Sequence, residues 1–233
     1  MAEIRFNHLP DLSHHVQQGT AWLAASSDGQ HTAALSYSAL ELRFAIERLT
    51  IHYWALLLDR QLTDDDLHDF ESFNRGQNKI YGLAGHQKTI DAHFNFMRIV
   101  LRAIKVDMPL VTPQIGKLAK YWHDCSELCH ISWTLSCSIP DEQQAAFASL
   151  SEVSSSLSEL VASLGWPVLR DNAFVELRNR FVAGEAGAGE VTDYLACIGL
   201  WAQVVVLEDP HRRFVGEPLP LNGHLERPTK PLF

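Results

Sequence analysis

Apolar residues recur along this chain at intervals of three and four, and strict alternation of apolar and polar positions is absent. That spacing lines side chains along one face of a 3.6-residue turn, so it predicts helices and no sheet. The longest such run is Thr32 to Arg60, where Leu35, Leu42, Ile46, Leu49, Tyr53 and Leu57 form one stripe. Thr63, with Asp66 three residues on, opens a shorter helix with acidic residues where the helix dipole favours them. His86 to Val106 carries another helical pattern, closed by Asp107 and Pro109. Thr112 and Pro113 read as a cap and a first-turn proline, with helix running on to about Ser136. Pro140-Asp141, with Gln144 three on from the aspartate, starts the next helix. In it Leu150, Val153, Leu157, Leu160, Val161 and Leu164 keep an apolar stripe, and the serines lie mainly on the other face. Gly165-Trp166-Pro167 breaks the pattern; Asp171 to Ala183 is helical, Gly184 to Gly189 is a glycine-rich break, and Glu190 to Glu208 is the last helix.

These elements predict an all-α protein, an antiparallel bundle of six to eight helices spanning residues 32–208. Residues 1–31 are expected to be irregular. Five of the ten prolines fall after Leu207, so residues 209–233 read as an extended Pro-rich tail. A chain of 233 residues, 46% apolar and 20% charged, can build a sizeable core of ordinary globular composition. The N-terminus lacks a basic start followed by an apolar run, and Ile198 to Leu207 is too short to cross a bilayer. A soluble, cytoplasmic protein without membrane association is therefore expected. Four cysteines in a chain of this length do not make a disulfide framework and fit a reducing compartment. The formal net charge of −9 argues against a general nucleic-acid coat but leaves room for one local basic groove.

Candidate chemistry concentrates in the stretch Asn172-Ala-Phe-Val-Glu-Leu-Arg178-Asn179-Arg180-Phe-Val-Ala183-Gly184-Glu185. Phe174, Leu177 and Phe181 share one face and are expected in the core. Asn179 and Ala183 project within about 40° of each other on a helix, whereas Arg178 lies about 140° from position 183. Joining Arg178 to position 183 therefore needs a distorted helix end at Gly184, or a second copy of the segment. The bland reading is a helix C-terminus, with Arg178 and Arg180 favoured by the dipole and Gly184 as its cap.

The stretch resembles the motif of the HEPN domains, compact helical bundles found in many ribonucleases of toxin–antitoxin and antiviral systems. Their signature is an arginine, commonly followed by Asn or another polar residue, then a histidine that a small residue often follows. Arg178, Asn179 and Gly184 match; Ala183 stands where the family has histidine. The run from Leu40 to Glu47 also looks HEPN-like, and the resemblance extends over about Ala33 to Leu207. It implies a homodimeric, metal-independent endoribonuclease without cofactor, acting on RNA, with an antitoxin or another regulatory protein as a candidate partner. On that reading Arg178 anchors phosphate, Asn179 orients the site, and Arg180 and Arg170 extend a basic groove. Histidine suits the proton transfers of RNA cleavage through the 2′-hydroxyl, and arginine suits the charge that builds on phosphoryl oxygens. Alanine at 183 moves no proton, so the chain as written is expected to be inactive or severely impaired. Either it is a disabled enzyme or it is an inactive domain that docks RNA or a protein.

Other constellations weigh less. His123-Asp124, with His93 and with Asp171 or Asp193, imitates the helical HD-type metal phosphohydrolases, but twelve histidines produce such pairs by chance. Cys125 and Cys129, with His123, His130 and Cys137, imitate a zinc site, yet buried core cysteines give the same spacing. Arg48 and His52, four apart near Glu41 and Glu47, read as polar-face residues with His52 in a polar niche. Asp64-Asp65-Asp66 is a helix-start acidic run.

Overall fold

The computed structural model describes residues 8–58, 76–103, 105–107, 109–129, 139–163 and 172–197. Among these it contains eight α-helices and no strand, so the expected fold class holds. In chain order they are α1 (His8–Ala25), α2 (Thr32–Leu58), α3 (Gly76–Ala84), α4 (Gln87–Ala103), α5 (Ile115–Cys129), α6 (Pro140–Ala162), α7 (Asn172–Val182) and α8 (Ala188–Cys197). None of them is long and apolar enough to cross a membrane. The residues expected to form one bundle divide between two compact units, one built on α1, α2, α3, α5 and α6 and the other on α4, α7 and α8. The helix opening near Thr63, the continuation of α5 through residues 130–138 and the tail at 209–233 lie outside the described residues.

In the larger unit α2 packs against α1, α3 and α5. Its stripe is as the spacing predicts: Leu35, Leu42, Ile46, Leu49 and Tyr53 are fully buried, and Leu57 is half-buried. Residues 1–31 depart from the irregular segment expected, because α1 occupies most of them. Leu12, Val16 and Leu23 are its buried face, with Gly19 on the same stripe. A Cβ on Gly19 would sit 2.7 Å from the Leu42 side chain, so the missing side chain lets the two helices touch. The Ser38 hydroxyl donates to the Gly19 carbonyl at 2.8 Å across that contact.

The turn from α1 to α2 runs through three left-handed residues, Ser27, Asp28 and Gly29. The buried Ser26 hydroxyl braces it, donating to Leu23 O at 2.6 Å and accepting from Gly29 N at 3.2 Å. Helix α5 begins two residues later than the cap-and-proline pattern suggests, because its cap comes from elsewhere. The Gln87 side chain accepts from Ile115 N at 2.8 Å and donates to Pro113 O at 2.9 Å. Glu47 Oε1 accepts from Arg43 Nε and from Trp122 Nε1, both at 3.0 Å, tying α2 to α5. Along α6, Leu150, Val153, Leu157 and Leu160 are buried as expected. Ser154 departs from the solvated serine face: it is buried and meets the Thr20 hydroxyl at 2.7 Å.

The smaller unit has its own core, formed by Phe96, Met97 and Val100 of α4, Phe174 and Leu177 of α7, and Val191 and Leu195 of α8. The Phe96 ring lies 5.4 Å from that of Phe174 and 5.6 Å from that of Phe181, and Tyr194 stacks on Phe174. The Phe174–Leu177–Phe181 face of α7 is thus inward, as the spacing predicts. Its outward face carries the polar segment.

Candidate functional site

Turning the aromatic face of α7 into the core leaves Arg178 half-buried and puts Asn179, Ala183 and Gly184 in solvent. The guanidinium of Arg178 folds onto its neighbour, with Nε and Nη2 donating to Asn179 Oδ1 at 3.2 and 3.0 Å. The helix ends in a Schellman closure. Gly184 N donates to Phe181 O at 3.0 Å, Glu185 N to Arg180 O at 2.8 Å, and Gly184 takes φ +79°. Ala183 N still donates to Asn179 O at 2.9 Å. Carbonyls that would present partial negative charge at the helix end are therefore already engaged, which blunts their repulsion of an anion.

Arg180 points across the glycine-rich break, and its Nη1 donates to Glu190 Oε1 at 2.7 Å. Both charges suit their helix ends, a cation in the last turn of α7 and an acid in the first turn of α8. So the structure brings Arg178 and Asn179 into contact, places Ala183 on the exposed helix end, and gives Arg180 a protein partner. Arg170 lies outside the described residues. A guanidinium and an amide side by side at an exposed helix end offer N–H donors of the kind a phosphoryl oxygen accepts. No group that can exchange a proton near neutral pH stands at position 183.

The other constellations resolve into ordinary structure. His123 pairs with Glu127 at 3.2 Å and Asp124 with Lys120 at 2.6 Å, each four residues along α5. His93 is buried on α4, Asp193 is exposed on α8, and Asp171 lies outside the described residues. Among the described residues no three His, Cys, Asp or Glu side chains gather as a metal ion would need. Burial pushes the thiols of Cys125 and Cys129 up, as in core cysteines; His130 and Cys137 lie outside the described residues. The His52 ring is half-buried 5.5 Å from that of Tyr53. Arg48 is half-buried, Glu47 belongs to the α2–α5 tie and Glu41 accepts from His15 at 2.7 Å. The acidic run at 64–66 is outside the described residues.

One feature escapes the sequence reading. Arg98, Arg102 and Lys105, at the end of α4, line an open cleft of ≈ 440 Å³. Arg98 and Arg102 follow Phe96 by about 200° and 240° around the helix, so the cleft opens away from the face that packs on α7. Their i, i+4 spacing was the available signal. In comparisons with known proteins, no family model, no curated protein and no solved structure matches the chain.

Proposed function

We propose that the exposed C-terminal end of α7 is the RNA-facing site of a homodimeric, metal-independent endoribonuclease of the HEPN type, disabled in this chain by Ala183. The observation that carries this reading is the Arg178–Asn179 contact at the surface, with Ala183 exposed one turn further on. Arg178 supplies a permanent positive charge to a phosphoryl oxygen, and Asn179 fixes the direction of the guanidinium. Arg180 pairs with Glu190 at the surface, and on this reading it and Arg170 extend the basic groove beside Arg178. Two copies of α7 across a two-fold axis would overcome the angular offset between residues 178 and 183 on one helix. Control by an antitoxin or another regulatory protein belongs to the same reading.

A second reading, a non-catalytic domain that docks RNA or a protein through the same surface, is favoured by Ala183 itself. The two are separated by Ala183→His, alone and with Arg178→Ala, assayed for cleavage of varied RNAs in EDTA. Restoring a positioned acid–base group is expected to raise cleavage about 10²- to 10⁴-fold over the parent chain. Adding Arg178→Ala is expected to remove about 10²-fold or more of that gain. A folded Ala183→His protein that cleaves no RNA rejects the ribonuclease reading and leaves the docking domain.

A further inference from the structure

Helix α4 ends in a left-handed residue that is not glycine. Lys105 N donates to Arg102 O at 3.2 Å and Val106 N to Leu101 O at 2.9 Å, the two bonds of a Schellman closure, and Lys105 takes φ +56°. The same closure at the end of α7 uses Gly184. A side chain in this conformation carries a backbone cost that glycine avoids, so Lys105 is held against local preference. Such outliers occur in tight turns, as at Ser27 and Asp28, and also where a ligand is gripped.

The surroundings of Lys105 give that strain a use. Arg98, Arg102 and Lys105 line the cleft of ≈ 440 Å³ together with the acidic Asp107. Neither Arg102 nor Lys105 has an ion-pair partner among the described residues. In a chain of net charge −9, three cations around one opening are a local reversal of sign. Arg98 is fixed in place. Its Nη1 donates to Asn95 Oδ1 at 2.8 Å, and its Nη2 donates to Leu110 O at 3.2 Å and to the Thr112 hydroxyl. Three of its five N–H groups are thereby used, and the rest are pre-oriented for an acceptor.

We propose that this cleft binds a small phosphate-bearing molecule of the nucleoside diphosphate class. With Asp107 counted the opening carries a net charge of +2, but its three cations present more N–H donors than one phosphoryl group can accept, and the volume lies within the ~300–1,000 Å³ usual for small-molecule sites. Leu101, Val106 and Leu110 give an apolar wall for the rest of the ligand. Among the described residues no aromatic side chain lines the cleft, whereas sites for single-stranded RNA stack successive bases on such rings.

The test is calorimetric titration of the full chain at fixed ionic strength with inorganic pyrophosphate, ADP, sulfate and a short single-stranded oligoribonucleotide. Pyrophosphate and ADP are expected to bind at least tenfold more tightly than sulfate. Arg102→Ala is expected to weaken both at least tenfold. Lys105→Gly is the discriminating variant, expected to weaken both to the same degree while raising Tm by about 2 °C as the backbone strain is released. Sulfate binding as tightly as ADP, or ADP binding unchanged in both variants, overturns the proposal. So does an oligoribonucleotide that binds more tightly than ADP and is lost in both variants, which would make the cleft an RNA groove. A lower Tm for Lys105→Gly would mean that the lysine serves the helix end and not a ligand.

Discussion

Gly184 and Lys105 hold equivalent places in two helix ends of one unit, and the difference between them is readable in free energy. An added Cβ on Gly184 would meet nothing within 4 Å, so Gly184→Ala changes only the backbone preference at φ +79°. The expected outcome is a loss of about 1 kcal/mol in urea unfolding, with the fold intact. A loss above about 3 kcal/mol would mean that the loop after α7 packs in a way the open surroundings of Gly184 do not allow. Gly184 as a cap, and Phe174, Leu177 and Phe181 as core, were legible from the sequence because both follow from local rules of spacing and backbone conformation. The bond from Arg180 to Glu190 was not, since it depends on the path of the intervening loop. Lys105 is not legible for a related reason: lysine gives no sign of a left-handed turn, where glycine announces one.

At the scale of elements, α1 is the lesson. Leu12, Val16 and Leu23 stand at helical spacing, but Pro10 and Gly19 argue against a helix on propensity alone. Pro10 falls in the first turn, where a missing N–H costs little, and Gly19 is a contact surface. Tertiary packing decides both positions, and that is not written in one segment. Gly19→Ala tests the point, because propensity and packing predict opposite signs. Alanine would gain up to ~1 kcal/mol of helix propensity, yet its Cβ would stand 2.7 Å from the fully buried Leu42 side chain. Overpacking of that kind costs about 1–3 kcal/mol, so the variant is expected to unfold at lower denaturant concentration than the parent. A more stable Gly19→Ala would show that α1 and α2 separate at little cost. Ser154 follows the same logic as Gly19. Ser155 and Ser158 are exposed and Ser149, Ser151 and Ser156 half-buried, whereas the partner hydroxyl that receives Ser154 comes from Thr20, on a helix 134 residues away in sequence.

For the molecule as a whole, helical content was legible, but the division into two units was not. Helix α4 continues the apolar periodicity of its neighbours, and nothing in a local pattern says that its partners are α7 and α8. The larger unit carries two acidic protons deep in its core, and their burial predicts a loss of stability in alkali. Burial pushes the Tyr53 phenol above its ordinary value of 10.0, and burial chiefly pushes the Cys125 thiol above 9.0. An unfolded chain releases these protons near pH 9 and 10, while the folded chain keeps them to higher pH. The folded form therefore binds more protons in that range, so its full stability is present below about pH 9 and falls as pH rises. Each group adds a slope of up to ~1.4 kcal/mol per pH unit above its unfolded value. The check is Tm from pH 7 to 11 under reducing conditions, for the parent chain and for Tyr53→Phe combined with Cys125→Ala. The variant is expected to start at a lower Tm, because it loses packing, but to decline less steeply between pH 9 and 11. Parallel declines would mean that other groups govern alkaline unfolding, and that the α2 and α5 cores admit water before either proton leaves.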